Sequence, residues 1–147
     1  MTISRRDLLA SSAALSASYG LGLSVALAAD EPAPAKPVTG DGFAAAAAEC
    51  VRVGEECLQH CLALLAGGDT MLGDCAKSVQ QMLGVCRAAG PLVYAESKHL
   101  AAFAKLCAAV CSDCETICRK HEGHHAICKR CAEACAKTVA EAKKLAA

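Results

Sequence analysis

From Phe43 onward, polar and apolar positions alternate with a helical period, and the apolar face is largely sulfur. At 100° per residue, "FAAAAAECVRVGEECLQHCLALLA" places Cys50, Cys57 and Cys61 within roughly 40° of one another, and "MLGDCAKSVQQMLGVCRAA" does the same with Cys75, Met82 and Cys86. In "CAAVCSDCETIC" the residues Cys107, Cys111, Cys114 and Cys118 share roughly 60° of a helix surface, as do Cys128, Cys131 and Cys135 in "CKRCAEAC". Leu100, Phe103, Val79 and Val139 fall on the same faces, while Lys, Arg and Glu lie mostly elsewhere. A strand would scatter these cysteines over both faces, and Ala, Glu and Lys make poor strands in any case.

Three breaks punctuate the pattern: "GGDT" after Ala66, "GP" at Gly90-Pro91 and "KHEGHH" after Arg119. Four helices joined by such short turns pack antiparallel, so the expected fold is all-α, an antiparallel up-down four-helix bundle with a cysteine-lined core over residues 43–147. Heights counted from the "GGDT" and "KHEGHH" end, at roughly 1.5 Å per residue, bring Cys61 level with Cys75, Cys118 with Cys128, Cys114 with Cys131 and Cys111 with Cys135. Cys50 and Cys86 meet near the far end. The expectation is a ladder of facing thiols along the bundle axis.

The preceding residues read differently. Residues 1–28 begin with a basic stretch, continue as an Ala/Leu/Ser/Gly run and end in Ala26-Leu27-Ala28, the layout of a cleavable export signal. Arg5 and Arg6 in "SRRDLL" resemble the twin-arginine signal, which implies export to the periplasm or associated internal membranes. The run is too weakly apolar for a membrane anchor, so no membrane span is expected after processing. Residues 29–42, "ADEPAPAKPVTGDG", hold three of the four prolines and form the expected flexible tether.

Composition narrows the chemistry. The 147 residues include 12 cysteines and no Trp, and the formal net charge is zero, which offers no basic surface for nucleic acid. An even cysteine count in an exported chain invites disulfides, but successive helical turns do not bridge readily, and stapling needs only one or two cysteines per helix. Cys111-x-x-Cys114 and Cys128-x-x-Cys131 stand 13 residues apart, close to a four-cysteine zinc pattern. Filling the bundle with zinc would leave two uncompensated charges at each four-thiolate site, about six for three sites. A single structural zinc and a disulfide-stapled bundle both stay open as alternatives. A thiol oxidoreductase at Cys128-x-x-Cys131 would leave ten cysteines unexplained. The Glu-x-x-His strings at Glu96 and Glu122 fall at opposite ends of the bundle and do not make a di-iron site.

Cu(I) fits the pattern best. It is soft, is satisfied by two or three thiolates, and replaces one proton by one positive charge, so a buried thiol array can take up about one ion per sulfur with little net charge. The pairs Cys57/Cys61, Cys107/Cys111, Cys114/Cys118 and Cys131/Cys135 can each grip an ion, and sulfur can bridge neighbouring ions. His60, Met71, His121, His124 and His125 gather at one end, where weaker imidazole and thioether ligands suit transfer.

"CLQHC", "CAAVCSDCETIC" and "CKRCAEAC" on inward helical faces resemble the bacterial copper storage proteins, in particular their twin-arginine-exported branch. The resemblance implies a non-enzymatic homotetramer whose protomers each hold many Cu(I) ions. It also implies that copper chelators or copper enzymes act as donors and acceptors, particulate methane monooxygenase among them. Within that branch His60 and Met71 match transfer positions, while Leu64 and Gly67 stand where further methionines are expected.

Overall fold

Helix-forming residues dominate each periodic segment, and the segments coil where the pattern says they should. The computed structural model describes residues 39–146. The expected export signal and the tether up to residue 38 lie outside the described residues. Helix α1 spans Asp41–Ala66, α2 Gly73–Cys86, α3 Ala89–Tyr94, α4 Leu100–Arg119 and α5 Ala126–Leu145. The four long helices form an antiparallel up-down bundle. Around its axis α1 packs on α2 and α5, and α4 packs on the same two from the opposite side.

Two boundaries differ from the sequence reading. The first helix begins at Asp41, two residues early, because Gly40 turns the chain in the left-handed region at φ 99° and its carbonyl accepts the Ala44 N–H at 2.9 Å. A Cβ at Gly40 would crowd Val93 Cγ2 at 3.2 Å and Leu145 Cδ1 at 3.3 Å, so only glycine fits where the chain passes between them. The second difference is α3. Gly90-Pro91 was expected as a turn, yet both sit in the first turn of α3, where a proline has no helical N–H bond to lose. The break comes instead over residues 95–99, with Glu96 at φ 48°.

The far end of the bundle is closed by carbon. Phe43 is 1% exposed and tilts at 56° against Phe103, ring centroids 6.3 Å apart, while α3 contributes buried Ala89 and Val93. Alanines 44, 47, 104, 132, 134 and 142 let the helices approach closely. Thr138 is fully buried between α1 and α5, its Oγ1 3.0 Å from the Ala134 carbonyl and 3.2 Å from that of Ala46. Exposed ion pairs Arg87–Glu55 and Arg130–Glu56 tie α2 and α5 to α1 at 2.9 and 2.8 Å, but such pairs add little stability. Among the described residues no helix is long and apolar enough to cross a membrane.

Candidate metal centre

All twelve cysteines are free and buried, and none is more than 2% exposed. The helical period that lines them up is the same one that turns Lys, Arg and Glu outward. Ten of their sulfurs gather in four groups, each with its Sγ atoms within 4.8 Å of one another: Cys50, Cys86 and Cys111; Cys57, Cys61 and Cys75; Cys57, Cys118 and Cys131; Cys114, Cys131 and Cys135. Cys57 and Cys131 each belong to two groups, so three of the groups form one chain of sulfurs. The first group joins that chain through Cys50 and Cys135, 3.6 Å apart. Cys107 extends the far end, 3.9 Å from both Cys86 and Cys111.

The ladder drawn from helix heights is recovered at Cys61/Cys75, Cys114/Cys131 and Cys50/Cys86. Cys111 and Cys135 are both neighbours of Cys50. Cys118, expected level with Cys128, groups with Cys57 and with Cys131, one turn along α5 from Cys128, and lies 3.6 Å from Cys75. Heights fix a position along the axis but not which of the facing sulfurs come within contact distance. Met82 lies inside this network, fully buried, with the Cys50 thiol donating to its Sδ at 3.3 Å.

The protons are unevenly held. Burial pushes the Cys61 thiol above its ordinary value, and the charges of Cys75 and Cys57 add to the effect. Cys128 is raised for the same reason, burial first and then Cys57 and Cys75. At the far end, hydrogen bonds from Cys111 and Cys86 pull Cys107 down to about 4, while Cys86 and Cys111 themselves go up. Cys114 is likewise lowered by hydrogen bonds from Cys118, Cys131 and Cys135.

At the other end, His60 Nε2 and His125 Nδ1 are 3.0 Å apart with the rings edge-on, centroids 5.0 Å apart. His60, on α1, is half-buried beside Cys61. Met71 is 76% exposed and lies outside the sulfur groups. It lines a groove of about 610 Å³ together with His121, Asp74 and Lys77. His124 is exposed. The structure thus brings the twelve thiols and Met82 together and sets His60 at the edge of the array, with Met71 on the surface. Sequence reasoning left Met82 undecided; its place four residues before Cys86 was the available signal.

Sγ···Sγ contacts of 3.5 to 3.9 Å are those of unbonded thiols. Groups of three that share corners suit a soft ion satisfied by two or three thiolates better than separate tetrahedral sites. Among solved structures, the chain is similar to the Cu(I)-bound copper storage protein BsCsp3, with a TM-score of 0.66 and 24% identity, covering 74% of this chain and 99% of that one. It is also similar to a cytosolic copper storage protein from Streptomyces lividans, described in copper loading with five coppers, with a TM-score of 0.53 and 26% identity over 71% of this chain and 94% of that one. No curated protein sequence matches. Residues 40–147 match the family described as copper storage protein, a span that contains every cysteine. The chain therefore belongs to the copper storage protein family and is a metal store, not an enzyme.

Proposed function

We propose that the twelve core cysteines hold many Cu(I) ions per protomer as one connected thiolate array, and that the protein supplies this copper to exported copper enzymes. The observation that carries the reading is the sharing of Cys57 and Cys131 between sulfur groups, which lets thiolates bridge neighbouring ions instead of isolating them. Each Cu(I) that displaces a thiol proton adds no net charge, so the array fills without accumulating buried charge. His60, and Met71 on the surface near the same end, act as weaker transfer ligands.

The wider setting rests on the sequence. Arg5 and Arg6 support twin-arginine export to the periplasm or associated internal membranes, and the resemblance to the exported branch supports a homotetramer that passes copper to enzymes such as particulate methane monooxygenase. Copper K-edge absorption of the loaded protein tests the reading. A sulfur-only first shell with copper–copper scattering is expected; a shell of nitrogen and oxygen without copper neighbours would overturn it.

A further inference from the structure

Among the described residues Met82 is the one core sulfur that is not a thiol, and its position is constrained from two sides. It sits on α2 one turn before Cys86, with no exposed surface, and its Sδ accepts the Cys50 S–H at 3.3 Å. A thioether sulfur can only accept, so its lone pairs are open to the Cys50 sulfur 3.3 Å away, which also has Cys135 Sγ at 3.6 Å. Cys50, in turn, belongs to the group completed by Cys86 and Cys111.

The second constraint is Gly54. A glycine inside a helix is less favourable than an alanine there, so a structural reason is expected for one in the middle of α1. Here the reason is room: a Cβ at Gly54 would meet Met82 Cε at 2.5 Å and Leu83 Cδ2 at 3.0 Å. The missing side chain forms a slot for the Met82 methyl, and with the methyl seated there the sulfur faces Cys50. A residue serving only to fill carbon space needs no such orientation of its sulfur.

We infer that Met82 is a thioether ligand of the far-end copper cluster, with Cys50, Cys86 and Cys111. The step is ligand exchange: Cu(I) binds Cys50 Sγ, the thiol proton leaves to solvent, and the ion comes within reach of Met82 Sδ, 3.3 Å from that sulfur. No atom changes oxidation state. The thioether is neutral, so it adds a fourth sulfur to the group without adding to its negative charge, in the part of the array away from the His60–His125 pair. This inference rests on the storage reading given above.

Selenium absorption tests it directly. The full chain carries three methionines, so a selenomethionine-labelled Met71→Leu variant leaves Met82 and Met1, and a Met71→Leu/Met82→Leu variant supplies the Met1 background. Copper-to-protein ratio is measured on the same samples. On loading with Cu(I), a selenium–copper scattering path is expected in the first variant and absent from the second. A fully loaded Met71→Leu protein whose selenium sees only carbon would overturn the inference and leave storage standing. A sample that takes up no copper would remove both.

Discussion

Cys50 on α1 and Cys135 on α5 are 85 positions apart in the chain and 3.6 Å apart at their sulfurs. This contact joins the far-end group to the three groups linked through Cys57 and Cys131. Cys135→Ala therefore does more than delete one ligand: it divides the array. The expected result is a Cu(I) plateau lowered by more than one ion, with helix content unchanged and stability reduced by about 1 kcal/mol for the small cavity. Circular dichroism and metal counting on the same sample check it, and an unchanged plateau would show that the sulfurs do not act as a connected set.

Gly54 offers a test of packing alone. Gly54→Ala improves helix propensity by about 1 kcal/mol, but the added methyl sits at 2.5 Å from Met82 Cε. Overpacking of this kind costs about 1–3 kcal/mol. The apo variant should melt at a lower temperature than the parent, and a higher melting temperature would mean that the slot is slack.

Much of this was legible in advance because cysteine is both apolar enough to follow the helical period and rare enough to be noticed. Cys61 and Cys75, Cys114 and Cys131, and Cys50 and Cys86 fell together where periodicity and helix heights placed them. For Cys118 the heights named only Cys128 as level, and its neighbours across the bundle, Cys57, Cys75 and Cys131, are what the fold adds. The stretch from Pro91 to Phe103 carries neither a glycine nor a second proline to announce the bend at Glu96, so α3 was hidden inside an apparently continuous helix. Met71 has the composition of a ligand and the exposure of a surface residue; only the fold separates the two.

Proton competition gives a signed pH dependence. Burial keeps Cys61 and Cys128 protonated above the ordinary thiol range, so an ion bound there must displace a proton. Falling pH favours the proton, and apparent Cu(I) affinity should drop about tenfold per unit for each proton displaced. Chelator competition at about pH 6.5 and about pH 8.5 measures the slope. A flat response would mean that these thiols are already ionised.

Loading should also stabilise the fold. The core is built from Cys and Ala, which bury less apolar area than Leu and Phe, and ions bound only by the native state add free energy to it. At free Cu(I) about a thousandfold above the dissociation constant, the gain is about 4 kcal/mol, enough for a rise in melting temperature of at least about 10 °C. Differential scanning calorimetry under anaerobic conditions reads it, and coincident apo and loaded melts would contradict native-state binding.

The most direct measurement is an anaerobic titration of the reduced protein with Cu(I) against a competing chelator, read as bound metal per protomer. With twelve buried thiols and about one ion per thiolate, a plateau on the order of ten tightly held ions is expected. A plateau at one ion or none, with zinc retained or the thiols found oxidised, would contradict the copper array and return the bundle to a structural metal site or a disulfide-stapled core.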